Sequence, residues 1–150
     1  HVFEHLGLKG KSYDYIALLE PTSPLRKLND IDDAINLIVQ NTGADCLVST
    51  GEVHMEHPMI VKKIDEIGLV VPYISNIEKI HQRQQADKAY FPYGVIYISK
   101  VSEFKKNKTF YTEKTVPYFI ERWQNYEIDD QLDFIIVEQI MRIKMEVVNG

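Results

Sequence analysis

A short loop near the start of the chain carries side chains that suit a polar ligand. A carboxylate, two hydroxyls and a guanidinium fall close together there, at Glu20, Thr22, Ser23 and Arg26. The two prolines of the loop restrict its backbone and lower the entropy that is lost when it becomes ordered. Hydroxyls and free backbone N–H groups suit a nucleotide or a sugar. An ordinary strand-to-helix connection with turn residues is the alternative.

An acidic segment, residues 127–133, offers a second kind of chemistry. Glu127 and Asp129 alternate, so their carboxylates project from the same side if the backbone is extended. Two hard oxygen ligands beside a polyphosphate are what Mg²⁺ prefers, and the sequence therefore predicts a magnesium site at these two residues. For Asp130 and Asp133, the alternative is the acidic start of a helix, which the helix dipole stabilises.

A third candidate is the polar run at residues 81–85, which precedes a strongly β-prone segment. Arg83 could form a bidentate pair with a carboxylate or a phosphate. Gln84 could offer both a donor and an acceptor. The alternative is a solvated loop, which composition alone favours.

The elements that must hold these residues alternate between strand and helix. Residues 13–19 form a nearly continuous apolar run, typical of a strand buried on both faces of a parallel sheet. A helical apolar pattern follows over residues 31–39, and residues 45–50 resemble the next strand. Strand, helix and strand in this order form a βαβ unit. The sequence thus predicts an α/β fold with its ligand site beyond the carboxyl ends of the strands.

The rest of the chain shows shorter patterns and no repeat or linker, so we expect a single domain over residues 1–150. The predicted elements are two short strands at 59–64 and 69–73 around a turn, a strand at 94–99, a short helix at 101–106, a strand at 116–120 and a final helix that begins at Asp129 or Asp130. Pro117 would keep the 116–120 strand at an edge or a start.

Composition narrows the class of protein. The chain has 150 residues, a formal charge of −5 and 45% hydrophobic residues, which is ordinary for a globular domain. A net-acidic chain lacks the basic surface of a nucleic-acid binder, and no apolar run is long enough for a membrane span. The single cysteine, Cys46, excludes an internal disulfide framework and fits a reducing compartment.

Three segments together resemble one family, the acylneuraminate cytidylyltransferases, also called CMP-sialic acid synthetases. Residues 18–26, LLEPTSPLR, are similar to the family signature LLQPTSPLR. Residues 83–98 are similar to its pattern RQD…K.Y..NGAIYI, and residues 127–138 resemble its ending DIDTPLDF…E. The order of the segments and the spacing to residues 44–49 also fit.

The resemblance implies a cytoplasmic enzyme that transfers CMP from CTP to a nine-carbon 2-keto sugar acid of the sialic, legionaminic or pseudaminic type and releases pyrophosphate. It also implies a three-layer α/β/α nucleotidyltransferase fold with a mostly parallel sheet. The family is usually dimeric, and an arm around residues 55–92 would reach the partner's active site. No nucleic acid or membrane is implied as a partner.

The resemblance also assigns roles to the candidate residues. Arg83 and Gln84 would be catalytic, and Glu127 and Asp129 would hold Mg²⁺. The residues implied in substrate binding are Glu20, Thr22, Ser23 and Tyr97.

The chain departs from the family pattern at several positions. Tyr93 stands where the pattern has Asn, Glu127 where it has Asp, and Gln85 where it has Asp. The family's N-terminal strand and its glycine- and lysine-rich phosphate loop have no counterpart here, so we expect a C-terminal piece that is inactive alone. Two alternatives stay open: a non-catalytic dimerisation or binding module that keeps the fold, and a cytidylyltransferase for another keto-deoxy sugar acid.

Overall fold

A computed structural model describes residues 10, 12–74 and 87–149 of the chain. Within these residues lie a four-stranded sheet, a separate two-stranded hairpin, three α-helices and one 3₁₀ turn. In chain order the elements are β1 (Tyr15–Leu18), α1 (Asp30–Gln40), β2 (Cys46–Glu52), β3 (Lys62–Ile64), β4 (Val70–Pro72), β5 (Tyr90–Lys100), α2 (Val101–Asn107), β6 (Thr115–Phe119), the 3₁₀ turn (Arg122–Gln124) and α3 (Gln131–Asn149).

The main sheet has the strand order β1-β5-β2-β6 and is mixed. β2 and β6 are parallel, whereas β5 runs antiparallel to both β1 and β2. β1, β2 and β6 therefore point the same way, and the α/β class is confirmed. The prediction of a mostly parallel sheet is only partly right, because two of the three strand pairings are antiparallel.

The predicted βαβ unit has parallel strands, but β1 and β2 are not neighbours in the sheet. β1, α1 and β2 follow one another as expected, yet the long strand β5 lies between β1 and β2 and pairs with both. The expectation that the first strand is buried on both faces is wrong. Among the described residues, β1 pairs only with β5, and Ala17 and Leu18 are exposed.

The hydrophobic core lies between α1 and the sheet. Ala34 and Ile38, four residues apart on α1, are fully buried against Leu47 of β2 and against Ile96 and Ile98 of β5. The i, i+4 spacing places both helical side chains on one face, as the apolar pattern predicted. This packing fixes α1 over the centre of the sheet and thereby fixes the loop that leads into the helix.

A buried polar network fastens the same loop to β6. The carboxylate of Asp30, which is fully buried, accepts hydrogen bonds from the Tyr118 hydroxyl at 2.8 Å and from Gln124 Nε2 at 2.6 Å. Gln124 Nε2 also donates to the carbonyl of Leu25 at 3.0 Å. Burial, reinforced by the Asp30 carboxylate, raises the pKa of Tyr118, so its hydroxyl stays a donor.

The predicted pair of short strands is confirmed as the hairpin β3–β4. Asp65 closes its turn by accepting from the backbone N–H of Ile67 at 3.1 Å and of Leu69 at 2.8 Å. Gly68 lies there at φ +87°, a conformation that side chains rarely adopt. Large apolar side chains of the hairpin are exposed: Ile64, Ile67, Leu69 and Val70.

Candidate active site

The loop at residues 20–26 lies against the middle of β5. The backbone N–H of Glu20 donates to the carbonyl of Gly94 at 3.1 Å. From the other side, the N–H of Ile128 donates to the carbonyl of Thr22 at 2.8 Å. The loop and the acidic segment, which the sequence singled out separately, therefore meet at one place beyond the carboxyl end of β1.

A bulge in β5 shapes this place. The β2–β5 register is Val48↔Tyr97 on one side and Thr50↔Pro92 on the other, so four residues of β5, 93–96, face Ser49 alone. The Ser49 hydroxyl is buried, accepts from Ile96 N–H at 2.9 Å and lies 2.5 Å from the carbonyl of Tyr93. Ser49 thus satisfies backbone groups that the ladder leaves unpaired. Bulges of this kind often redirect groups at active sites.

Glu127 fastens the loop to the bulge. Its Oε1 accepts a hydrogen bond from the Gly94 N–H at 2.6 Å and another from the Ser23 hydroxyl. Ser23 is almost completely buried and Glu127 is half-buried, so these charge-assisted bonds are shielded from water. The predicted metal ligand therefore also has a structural role that its sequence position did not reveal.

Gly94 is needed here because there is no room for a side chain. A Cβ at this position would overlap the carboxylate of Glu20 and the hydroxyl of Ser23. The backbone of Gly94 is at an ordinary φ, so the requirement is one of space and not of conformation. Three polar groups of the site thus converge on one glycine.

Arg26 joins the loop to β5. Its Nε donates to the carbonyl of Val95 at 2.7 Å, and its guanidinium also donates to the carbonyl of Glu20. Burial lowers the pKa of Arg26, while the carboxylates of Asp30 and Glu20 oppose that change. An arginine keeps its charge at neutral pH in any case. Arg26 therefore stabilises the loop conformation by hydrogen bonds to two backbone carbonyls.

Tyr97 belongs to the same site. Its half-buried ring lies 5.9 Å from the Phe110 ring and 6.4 Å from the Tyr111 ring, centroid to centroid. Burial raises the pKa of Tyr97, and the nearby Tyr111, Glu20 and Glu127 raise it further. The hydroxyl thus stays protonated beside the two carboxylates. Sequence reasoning missed Phe110 and Tyr111, although an aromatic pair just before a strand is a usable signal.

The other acidic residues divide into two groups. Asp130 and Asp133 form a reciprocal cap on α3: Asp130 Oδ1 accepts from the N–H of Asp133 at 3.0 Å, and Asp133 Oδ2 accepts from the N–H of Asp130 at 3.2 Å. The alternative interpretation of these two residues as a helix start is therefore confirmed. Asp129 is exposed, as is Thr22, whose carbonyl accepts from the N–H of Ile128, the residue before Asp129.

Glu127 and Asp129 offer carboxylate oxygens, the ligand type that Mg²⁺ prefers. In the part of the chain that the structure describes, no three His, Cys, Asp or Glu side chains are grouped to hold a metal ion. Mg²⁺ is commonly held by one or two carboxylates together with waters and substrate phosphates. The pair Glu127 and Asp129 fits that chemistry without a third side chain.

The catalytic assignment of Arg83 and Gln84 falls outside the described residues. It stays a prediction. Of the residues assigned to the site from the sequence, the structure brings together Glu20, Thr22, Ser23, Tyr97 and Glu127, and Asp129 is exposed beside Ile128.

Comparison with known proteins points to the same family as the sequence motifs. The chain is 31% identical over 120 residues to the N-acylneuraminate cytidylyltransferase of Streptococcus agalactiae serotype V, which covers 80% of this chain. It is 29% identical over 136 residues to the CMP-N,N'-diacetyllegionaminic acid synthase of Legionella pneumophila, which covers 89% of it. These similarities support membership of the acylneuraminate cytidylyltransferase family. An N-acylneuraminate cytidylyltransferase of Escherichia coli O18:K1:H7 is also similar, at 25% identity over 132 residues.

The acylneuraminate cytidylyltransferase relatives are longer than this chain. The chain spans 28% of the length of the Streptococcus protein and 56% of the Legionella protein. No family model matches the chain. Among the described residues, no helix has both the length and the apolar character needed to cross a bilayer.

Proposed function

We propose that the protein transfers CMP from CTP to a nine-carbon 2-keto sugar acid of the sialic, legionaminic or pseudaminic type, with release of pyrophosphate. The observation that carries the proposal is the joining of the loop at residues 20–26 to Glu127 across the Gly94 bulge. Two motifs that resemble the family, far apart in sequence, thereby form one polar site. The names of the relatives support the same chemistry.

In the proposed reaction, the anomeric hydroxyl oxygen of the sugar attacks the α-phosphorus of CTP. The bond from that phosphorus to the pyrophosphate oxygen breaks, and the hydroxyl proton is released. Such catalysis depends mainly on positioning and on neutralising charge. The site offers the exposed hydroxyl of Thr22, the carboxylate of Glu20 and the protonated hydroxyl of Tyr97 for orienting the sugar.

Glu127 and Asp129 would hold Mg²⁺, which stabilises the negative charge that develops on the phosphate oxygens. Because Glu127 already binds Ser23 and Gly94 through Oε1, its position is fixed before any ligand arrives. Ser23, by contrast, donates its hydroxyl to Glu127 and so orients that carboxylate. We therefore assign Ser23 a positioning role within the proposed site.

The wider features of the family are part of the proposal. They comprise a three-layer arrangement of the whole domain, a cytoplasmic location and a homodimer joined by an arm around residues 55–92. The exposed apolar side chains of the β3–β4 hairpin support an association surface in that arm. They are also what a non-catalytic dimerisation module would show, which keeps that second candidate in view.

Glu127→Gln in the intact enzyme tests the reaction. Glutamine keeps an acceptor for Ser23 and Gly94, so the fold should be kept, but the two bonds lose their charge assistance and the free energy of unfolding should fall by about 1 kcal/mol. The lost charge should lower kcat by at least about tenfold and raise the Mg²⁺ concentration needed for half-maximal rate. Glu113→Gln, at an exposed position, is the matched control. If the unsubstituted enzyme releases no pyrophosphate from CTP with any keto sugar at ample Mg²⁺, the proposed function is wrong.

A further inference from the structure

The short segment that leads from the 3₁₀ turn to the acidic residues runs beside the loop that precedes α1, in the opposite direction. At one end, Gln124 Nε2 donates to the carbonyl of Leu25 at 3.0 Å. At the other end, the N–H of Ile128 donates to the carbonyl of Thr22 at 2.8 Å. Glu127 lies between these two contacts, so both of them limit where its carboxylate can be.

Gln124 is completely buried, and its side-chain amide is fully hydrogen-bonded. Its Nε2 donates to the carbonyl of Leu25 and also to the carboxylate of Asp30, at 2.6 Å. Its Oε1 accepts from the backbone N–H of Glu121 at 3.0 Å. With the amide turned over, Oε1 would face the Asp30 carboxylate, and the Leu25 carbonyl would lose its donor. The network therefore admits one orientation of the amide.

Asp30 fixes that orientation. Its fully buried carboxylate also accepts from the backbone N–H of Lys27 at 2.6 Å and from the Tyr118 hydroxyl at 2.8 Å. Hydrogen bonds to an ionised acceptor are roughly twice as strong as those between neutral groups. Asp30 lies on α1 and Tyr118 on β6, so the amide of Gln124 is tied to two packed elements. Its bond to Leu25 ties the loop to the same elements.

We propose that Gln124 is a positioning residue for the candidate active site. It joins the loop to the 3₁₀ turn three residues before Glu127, and it thereby sets where the Glu127 carboxylate meets the loop. In this role it acts through the backbone of the segment and needs no contact with substrate or Mg²⁺. Its effect on the reaction rests on the proposed function, whereas its effect on the position of the segment does not.

Tyr118 offers the comparison that separates a positioning role from a purely stabilising one. Tyr118 and Gln124 both donate to Asp30, so Tyr118→Phe and Gln124→Met each leave this buried carboxylate with one bond fewer. Of these two side chains, it is Gln124 that also donates to the loop, at Leu25. Methionine has a length and volume close to those of glutamine and fills the same place. An effect on Glu127 in Gln124→Met alone would therefore come from the bonds that Tyr118 does not make.

The first readout is amide hydrogen exchange in the intact enzyme. The N–H groups of Gly94 and Ile128 report whether the acidic segment stays at its place, because one bonds to its carboxylate and the other joins it to the loop. Their rates are expressed relative to the N–H of Ile38, buried within α1, which reports global unfolding. Both should exchange about fivefold faster in Gln124→Met, the effect of one lost hydrogen bond, and should be unchanged in Tyr118→Phe.

The second readout is the Mg²⁺ concentration that gives half-maximal release of pyrophosphate. It should rise about tenfold in Gln124→Met, the lower end of what the loss of a supporting contact costs a metal site, and should not change in Tyr118→Phe. Gln124→Asn is a second variant for the case in which methionine prevents folding. Its amide is one methylene shorter and cannot reach Leu25 and Asp30 together, so the same two changes are expected.

Each outcome decides the proposal. Equal changes in Gln124→Met and Tyr118→Phe would make Gln124 a core residue only, and the inference would be wrong. Unchanged exchange in both variants, or faster exchange with an unchanged Mg²⁺ requirement, would contradict it as well. If the unsubstituted enzyme releases no pyrophosphate, the proposed function fails, and the exchange rates still decide whether Gln124 holds the segment. Faster exchange with a raised Mg²⁺ requirement in Gln124→Met alone supports both proposals.

Discussion

The loop at residues 20–26 and the β3–β4 hairpin both leave the main sheet, but they are held in opposite ways. The loop is fastened by Arg26 to Val95 and by Ser23 to Glu127, contacts that join residues 69 and 104 positions apart. The hairpin is closed by its own turn at Asp65 and by a bond from Tyr73 N–H to the carbonyl of Val61. Long-range contacts position the loop, and local contacts shape the hairpin.

The two regions also differ in where their apolar side chains lie. Leu25 of the loop is almost fully buried, whereas Ile67 at the tip of the hairpin is 79% exposed. A two-stranded hairpin is marginally stable alone and gains stability when its apolar side chains are covered. The loop is thus held in one geometry by buried contacts, whereas the described residues leave the apolar side chains of the hairpin uncovered.

The largest effect is expected where the loop meets the bulge. Gly94→Ala would push the Glu20 carboxylate and the Ser23 hydroxyl out of place, and Ser23 cannot move without leaving Glu127. We expect at least a hundredfold loss of kcat/KM in the intact enzyme and a destabilisation of about 1–3 kcal/mol in denaturant unfolding.

Gly43→Ala is the control for that substitution. An added Cβ at Gly43 would meet only Asn41 Oδ1 at 3.7 Å, which is an ordinary contact. Its activity and stability should match those of the unsubstituted enzyme. Full activity of Gly94→Ala would show that the loop adapts, and the contrast between a fixed loop and a free hairpin would then be lost.

A smaller effect is expected in the buried network behind the loop. Tyr118→Phe removes a hydroxyl that donates to the Asp30 carboxylate and leaves that buried charge with one bond fewer. We expect the free energy of unfolding to fall by about 1–3 kcal/mol. Tyr73→Phe, at a position 61% exposed, should change it by no more than about 0.5 kcal/mol. Equal values for the two variants would contradict the role of the network.

Sequence patterns predicted what depends on neighbours along the chain. The helix α1, the strand β2 and the hairpin turn each show their own local pattern, and the structure confirms all three. The Asp130–Asp133 cap is likewise local. The conformation of each of these elements depends mainly on residues close together in the sequence, where side-chain periodicity and capping residues can be read directly.

What the sequence did not reveal depends on pairing between distant segments. Nothing in residues 13–19 shows that β5 will take the place beside β1, so the antiparallel pairing of these two strands was missed. The bulge opposite Ser49 is equally invisible, because an isolated serine in an apolar strand has many interpretations. The same holds for Glu127, whose anchoring role appears only when Gly94 and Ser23 are brought to it.

The smallest effect on stability is expected in the hairpin. A substitution there separates an effect on association from an effect on folding, which the loop substitutions cannot do. Ile67→Ser removes an exposed apolar side chain, so the free energy of unfolding should change by no more than about 0.5 kcal/mol. If the hairpin covers a second copy of the protein, the same substitution should weaken dimer formation in sedimentation equilibrium. Glu66→Gln, at an exposed neighbouring position, should leave association unchanged. A monomeric unsubstituted enzyme, or a dimer indifferent to Ile67→Ser, would remove the hairpin from the interface and leave its apolar side chains for a different partner.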